Sequence, residues 1–499
     1  MKRSLFTAAL ALAACGAAHA WDLSGRNQAA LWTAQPGCRS SYREYCDLRL
    51  AGSLENASLV AGVLYLVDQE AWDDPVLFTG FSKRFLQIRT PHVVAQAGTY
   101  YATLGRGLVL NCVNEQRVKT DRDLEGLSAS GSLEGWGEAR VLLGRVRENT
   151  LEIDTTKTYG GCEIKLSVLP PVTLGGTYLR ANAAGPASDP SFGKPVEELY
   201  GGSLAGNLGP VEWYGEYARR HTYGQLFPTI GWLGIDDVNG HAVYGSATLA
   251  VPGRGVTVDF KNYRRMDARV NAPPPCNRDG RLLNYGDDEY GVQADVIITP
   301  WQPLEVHGNC SWARSGDARP KVVTASLRAY PGDQKWLDLF GELRWETSPR
   351  LSVNAEGLFR REDNLQSDIV VKRCEGTTMG FVWKYAGSRT LSLKAGGNQF
   401  SNVYLTQDLH YSELLTELGW APTSWLNIFA SGDFADKRVS EFDNQRSWGE
   451  VGTTIDLDDG RQRLRLSAGQ TKGGLVCAGG FCRWEPAFRG VKLVWDWRF

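Results

Sequence analysis

The sequence predicts an all-β protein: one large antiparallel transmembrane β-barrel of about 24 strands (22–26), occupying residues 21–499 with no plug domain. Three observations predict it. Apolar and charged residues alternate with period two in segment after segment, and charges on every second residue exclude a sheet buried on both faces. The segments come in pairs joined by short turns rich in Pro, Gly or Asp. The composition, with 56 Gly, 17 Trp, 19 Tyr and 17 Phe against 3 Met, suits many strands and turns. A mean hydropathy of −0.30 is no objection, because only alternate residues of a membrane strand face lipid.

The chain opens on a signal peptide, residues 1–20. Lys2 and Arg3 form its positive end, Leu5 to Ala14 its apolar run, and Ala18-His19-Ala20 a small-residue cleavage site. Leu12-Ala13-Ala14-Cys15 also reads as a lipoprotein cleavage box, which leaves acylation of Cys15 as an alternative. Nowhere does an apolar run approach the ~18–20 residues of a membrane helix. Removing Lys2 and Arg3 takes the formal charge from −2 to −4. With no basic stripe, nucleic acid is not an expected partner.

Hairpins follow along the chain. Leu337, Leu339, Leu343 and Trp345 alternate with Asp338, Glu342, Arg344 and Glu346; after Ser348-Pro349-Arg350 come Leu351, Val353, Ala355 and Phe359. Leu414, Leu418 and Trp420 lead through Pro422-Thr423-Ser424 into Leu426, Ile428 and Ala430. Val451, Thr453, Ile455 and Leu457 pass through Asp458-Asp459-Gly460 to Leu464, Leu466 and Ala468. Short turns are expected near 55, 90, 134, 170, 208, 252, 300, 349, 387, 422 and 459. They alternate with longer connections, among them 103–123, 148–159, 222–240, 266–288 and 315–333. Such alternation is what periplasmic turns and extracellular loops require, and it puts both termini in the periplasm. The last strand is VKLVWDWRF, with Val491, Leu493, Trp495, Trp497 and Phe499 on one face and Lys492, Asp496 and Arg498 on the other.

A terminal strand ending on Phe resembles the insertion signal of bacterial outer-membrane barrels, and this resemblance extends over essentially the whole mature chain. It implies the outer membrane of a Gram-negative bacterium, with membrane lipid as a constant partner. A narrower stretch, GTYYATLGRGLVLNCVNEQRVKTDRDLEGL, is similar to a segment of an uncharacterised family of outer-membrane proteins. That family implies a fold and no activity.

Nine cysteines remain after the signal. The oxidising location permits loop-stapling disulfides, with Cys38–Cys46 and Cys477–Cys482 as local candidates and Cys112–Cys162 and Cys276–Cys310 as longer ones. Nine is odd, so one thiol is left over, and Cys374 is the candidate. All nine are expected in or near the long external connections. Neither CxxC nor CxxCH is present, so the chain attaches no c-type haem itself, and no cofactor is expected. HExxH and Gly-x-Ser-x-Gly are also missing, and His241 with Asp236 and Asp237 is a weak basis for catalysis. An enzyme is not expected.

The third long connection is the strongest functional candidate. Arg106, Glu115, Arg117, Lys119, Asp121, Arg122 and Asp123 surround the apolar Leu108-Val109-Leu110. Such a loop can fold into the lumen and narrow the pore; the plainer reading is a solvated surface loop. Arg264-Arg265-Met266-Asp267-Ala268-Arg269 reads as a loop rim that would draw anions to the mouth. The leading functional expectation is a porin-like channel with a polar lumen for small solutes. The alternative is a barrel sheath around a multihaem c-type cytochrome, since wide barrels of this kind resemble the sheath of porin–cytochrome conduits. An outer-membrane enzyme is the least supported.

Overall fold

A computed structural model describes residues 21–499, apart from 35–38, 55, 70–77, 116–119, 134, 149–151, 154–156, 170, 184–195, 224–237, 267–269, 284–287, 316–333, 365–368, 405–407, 440–444, 473, 479–480 and 486–487. The signal peptide, Cys38, Arg117, Lys119, Asp236 and Asp237 lie outside the described residues, as do the side chains of Cys477 and Cys482. The backbones of these two cysteines stand opposite each other in a two-stranded ribbon.

The described strands form a closed antiparallel barrel of 24 strands. Each strand pairs with the next in sequence, and the first, Trp21–Ala34, pairs with the last, Phe488–Arg498, from Arg26↔Arg498 to Ala34↔Gly490. Gly25 and Phe499 exchange backbone hydrogen bonds of 2.9 and 3.1 Å at the end of this seam. Arg26 binds the Asp496 carboxylate across it on the lumen side. A Cβ on Gly25 would stand 2.6 Å from the Phe499 ring, so only glycine lets the terminal aromatic lie flat over the first strand.

Turns close the strands at one end: 209–210 between Leu208 and Val211, 252–253 between Val251 and Arg254, and 349–350 between Ser348 and Leu351. The expected turn positions coincide with these. The chain leaves the wall after Tyr100 and after Arg264 at the opposite end, so the short-turn rim is the periplasmic one.

Alternation sorts the side chains. Leu127, Val141, Leu143, Ile164, Phe260, Leu339, Met379, Leu414 and Val451 are exposed on the outer face. Trp136, Trp301, Trp345, Trp383, Trp420 and Trp425 are exposed close to the short turns, where they form an aromatic girdle. The inner face carries the charge: Asp338 pairs with Arg360, Glu356 with Lys394, and Asp456 with Arg463. Backbone groups have no water to bond in hydrocarbon, and a closed barrel with an apolar exterior meets that demand. The protein is a transmembrane β-barrel of the Gram-negative outer membrane.

The cysteine expectations need correction. Cys46, Cys162, Cys276, Cys310 and Cys374 are free thiols, so Cys38–Cys46, Cys112–Cys162 and Cys276–Cys310 are not bridged. Cys112 is buried inside the barrel, whereas Cys162 stands opposite the outward Val141 and Tyr178. Cys276 is likewise buried inside, and Cys310 stands opposite the outward Leu339. The barrel wall separates the members of both pairs. Cys46, Cys162, Cys310 and Cys374 lie within strands, not in the external connections. The Cys374 thiol is free, and it is half of no pair among the described residues.

Two neighbouring residues test the facing. Met379→Arg puts a charge on the lipid face near mid-depth and should cost about 2–4 kcal/mol in reversible unfolding from lipid vesicles. Thr378→Arg, beside the lumenal Glu356 that accepts the Thr378 hydroxyl at 3.1 Å, should change stability by less than about 1 kcal/mol. Equal costs would contradict the assignment. At the seam, Gly25→Val should displace Phe499 and lower the temperature at which the barrel loses its compact migration in gels.

Candidate functional site

The chain leaves the wall after Tyr100 and makes a small hairpin in which Ala102–Leu104 pairs with Leu110–Cys112. Gly105 and Gly107, at φ of +62° and +91°, turn the backbone around Arg106. Register shows that the hairpin lies inside the barrel. In the strand Gly137–Glu148, Val141 and Leu143 face out, so Arg140 and Leu142 face in. Arg140 donates to the Thr103 carbonyl at 3.2 Å, and Leu142 packs in the same cluster as the hairpin. In Val211–Tyr223, Tyr217 faces out while Tyr214 and Glu216 face in.

Leu104, Leu108, Val109 and Leu110 are completely buried. Their seat is the inner wall at Leu142, Leu179, Leu199, Ala218, Ala242 and Tyr244, contributed by five strands. Each buried aliphatic side chain contributes roughly 1.5–3 kcal/mol, and polar contacts give the seat its register. The Gly105 N–H donates to Glu163 at 3.1 Å and the Arg106 N–H to Glu216 at 2.9 Å. Glu216 also accepts the Tyr214 hydroxyl at 2.7 Å. The Arg106 guanidinium lies 4.2 Å from the centre of the Tyr214 ring and 5.7 Å from that of Tyr244, so its charge is held by aromatic faces.

The described part of a second connection, residues 265–266 and 270–283, packs on the first as a strap. Met266, Val270, Cys276 and Leu282 join the same apolar cluster. The Asn111 N–H donates to the Val270 carbonyl at 2.8 Å, and the Ala272 N–H to Gly107 at 3.1 Å. The Asn271 amide reaches Leu108 at 3.1 Å and Met266 at 2.7 Å. The Tyr263 hydroxyl holds Pro274 at 2.8 Å, and Lys261 binds both Pro275 and Glu289. The strap then crosses to the strands Gln334–Ser348 and Leu351–Asn364. Arg281 grips Glu362 through two bonds of 2.8 and 3.0 Å, Arg360 binds Asp279 at 2.6 Å, and Arg278 lies 4.2 Å from the Phe340 ring centre. Hairpin and strap together cover the lumen wall from Gly137–Glu148 round to Leu351–Asn364.

The expected constriction residues are divided between two places. Arg106 stands in the lumen with the apolar Leu108-Val109-Leu110. Glu115 lies in a short ladder opposite Thr120. Asp121 and Asp123 belong to the wall strand Thr120–Leu133: Asp121 pairs with Lys83, and Asp123 takes two bonds of 3.0 Å from Arg147. The Arg122 N–H bonds to the Val113 carbonyl at 3.0 Å, tying wall to hairpin. The basic run begins at the rim with Arg264 and Arg265 and dips inward at Met266. Sequence reasoning missed Tyr214, Glu216, Tyr244, Glu163 and the strap. The usable signals were the parity of those four strand residues and the apolar Met266, Val270, Leu282 and Leu283 in a connection read as external.

Burial pushes the Cys276 thiol up to about 12. Because the thiolate is the reactive form, a variant keeping only this cysteine should react very slowly with a water-soluble maleimide between pH 7 and 9. Its labelling rate should approach that of an ordinary thiol once the strap is released by Glu362→Ala with Asp338→Ala.

A family model described as "Family of unknown function (DUF6029)" matches residues 379–499. No curated protein matches the chain. Among solved structures, the copper transporter OprC is similar at 11% identity and a TM-score of 0.45, over 96% of this chain and 80% of that one. The siderophore receptor PirA from Pseudomonas aeruginosa is similar at 10% identity and a TM-score of 0.46, over 96% and 80%. The P pilus usher (PapC) translocation pore is similar at 8% identity and a TM-score of 0.43, over 95% and 99%. Likeness at these levels does not reach what this chain carries.

Proposed function

We propose that the protein is a porin-like channel for small polar solutes, and that its width is set by two of its own external connections folded into the lumen. The observation that carries this reading is the pair of backbone bonds joining hairpin to strap inside the barrel, Asn111 to Val270 and Ala272 to Gly107. A barrel of this strand number encloses more than enough room for an aqueous passage, so what limits passage is whatever occupies the lumen. Here the barrel's own loops do so. The channel performs no catalysis.

The solute path runs beside the inserted elements, past a wall of alternating signs: Arg26 and Asp496, Arg463 and Asp456, Lys472 and Glu413. Paired charges of both signs hold water and select weakly for charge. A cytochrome sheath is less well supported, because the inserted loops take up wall surface that a guest protein would need.

Proteoliposome permeability tests the reading. Arg106→Ala with Glu216→Ala removes two of the contacts that seat the hairpin, the guanidinium over Tyr214 and the acceptor of the Arg106 N–H, and should increase the uptake rate of small sugars severalfold. Unchanged uptake in a correctly assembled barrel would count against it. A haem absorbance spectrum of protein purified from its native membrane should be flat; a Soret band would favour the sheath.

A further inference from the structure

The outer face carries a second feature, away from the lumen. On three successive strands, Arg219, His241 and Arg264 stand directly opposite one another: Arg219↔His241 and His241↔Arg264. Tyr200 extends the row, opposite Arg219. Cross-strand partners share a face, and this one is the outer face: Tyr217 and Phe260, two and four residues below Arg219 and Arg264 on their strands, are exposed there. Arg219 and Arg264 are themselves exposed. Neither makes an ion pair with a carboxylate among the described residues. Glu198, one row higher, is taken by the Tyr178 hydroxyl at 2.7 Å and by Arg180 at 3.5 Å.

Arg219 and Arg264 stand two strand spacings apart, about 10 Å, with His241 between them, and two such exposed positive charges attract an anionic headgroup. The height of the row says which anion. Val211 starts its strand at the short-turn rim, and Arg219 follows eight residues later. At about 3.4 Å per residue that is about 27 Å of strand, or about 20 Å of height at a tilt near 40°, against an apolar band about 25 Å tall. Between the two levels the same face holds Trp213, Leu204, Phe260, Tyr217 and Val243, rows that suit acyl chains. The cations therefore sit in the upper part of the apolar band, about 5 Å below its edge on the side away from the periplasm, close enough for an arginine side chain to reach the headgroups. Arg361 and Arg373 also stand opposite each other on the outer face, but there each arginine pairs with a carboxylate of its own strand, Asp363 and Glu375.

We infer that the Tyr200–Arg219–His241–Arg264 row is a docking site for the phosphorylated headgroup of an outer-leaflet glycolipid. The guanidiniums bind phosphate oxygens, the tyrosine hydroxyl donates beside them, and the acyl chains lie along the apolar rows beneath. Basic residues at a membrane surface contribute about 1 kcal/mol each toward anionic headgroups.

The test uses the full-length barrel in mild detergent, titrated with bisphosphorylated lipid A and, separately, with dephosphorylated lipid A, following the thermal unfolding midpoint. The phosphorylated lipid should raise the midpoint and the dephosphorylated one should leave it near its starting value. R219Q/R264Q should weaken the apparent affinity roughly 10- to 30-fold, while R219K/R264K keeps most of it. Equal stabilisation of the unmodified protein by both lipids would overturn the proposal, whether or not the glutamine variant folds. Undiminished affinity in a folded R219Q/R264Q would overturn the assignment to this row.

Discussion

The ladder between Trp21–Ala34 and Phe488–Arg498 removes the two edges that a sheet of this size would otherwise present to hydrocarbon. Backbone groups there have no water to turn to, so an unpaired edge would cost several kcal/mol per group. Once the ends are joined, each strand has a lipid face and a lumen face, and the sequence must alternate. The pairing of Arg26 with Asp496 and the stacking of Phe499 beside Gly25 hold the joint from inside and from the rim.

Closure also decides where the connections can go. A barrel of this circumference encloses more volume than its own inward side chains fill. Part of that space is taken by the hairpin at 102–112 and the strap residues 266 and 270–283, which bury Leu104, Leu108, Leu110, Met266 and Val270 against the wall. The wall in turn departs from the polar lining usual in a wide barrel. Under the hairpin it is aliphatic and small, at Leu179, Leu199, Ala218 and Ala242. Where the strap crosses, it offers carboxylates to arginines, at Asp338 and Glu362. These pairs set a buried carboxylate against a part-buried arginine, so stripping the arginine costs more than the pair gains over apolar packing. They specify where the strap lies more than they add to stability.

Much of this was legible in the sequence, and the limits have physical causes. The alternation Leu337-x-Leu339 and the turns at Pro349 and Pro422 report a local rule, the two-residue period of a strand, so strand order and turn positions follow directly. The apolar Leu108-Val109-Leu110 marked its loop as unusual. Its seat was not readable, because Leu142, Leu199 and Tyr244 belong to strands brought together only by closure. The cysteine pairings failed for a related reason. Cys112 and Cys162 are close in sequence order, yet one belongs to the lumen and the other to the lipid face. A loop that turns inward moves its cysteine to the other side of the wall. The basic row on the outer face was likewise invisible, since Arg219, His241 and Arg264 meet only through register.

The account turns on the inserted hairpin being what narrows the passage. The most direct measurement is single-channel conductance in a planar bilayer, comparing the whole chain with a variant in which residues 103–111 are replaced by a two-residue Asn-Gly turn. The account predicts discrete openings in both and a clearly larger unit conductance in the shortened protein. The same conductance in both, with the barrel correctly assembled, would contradict it.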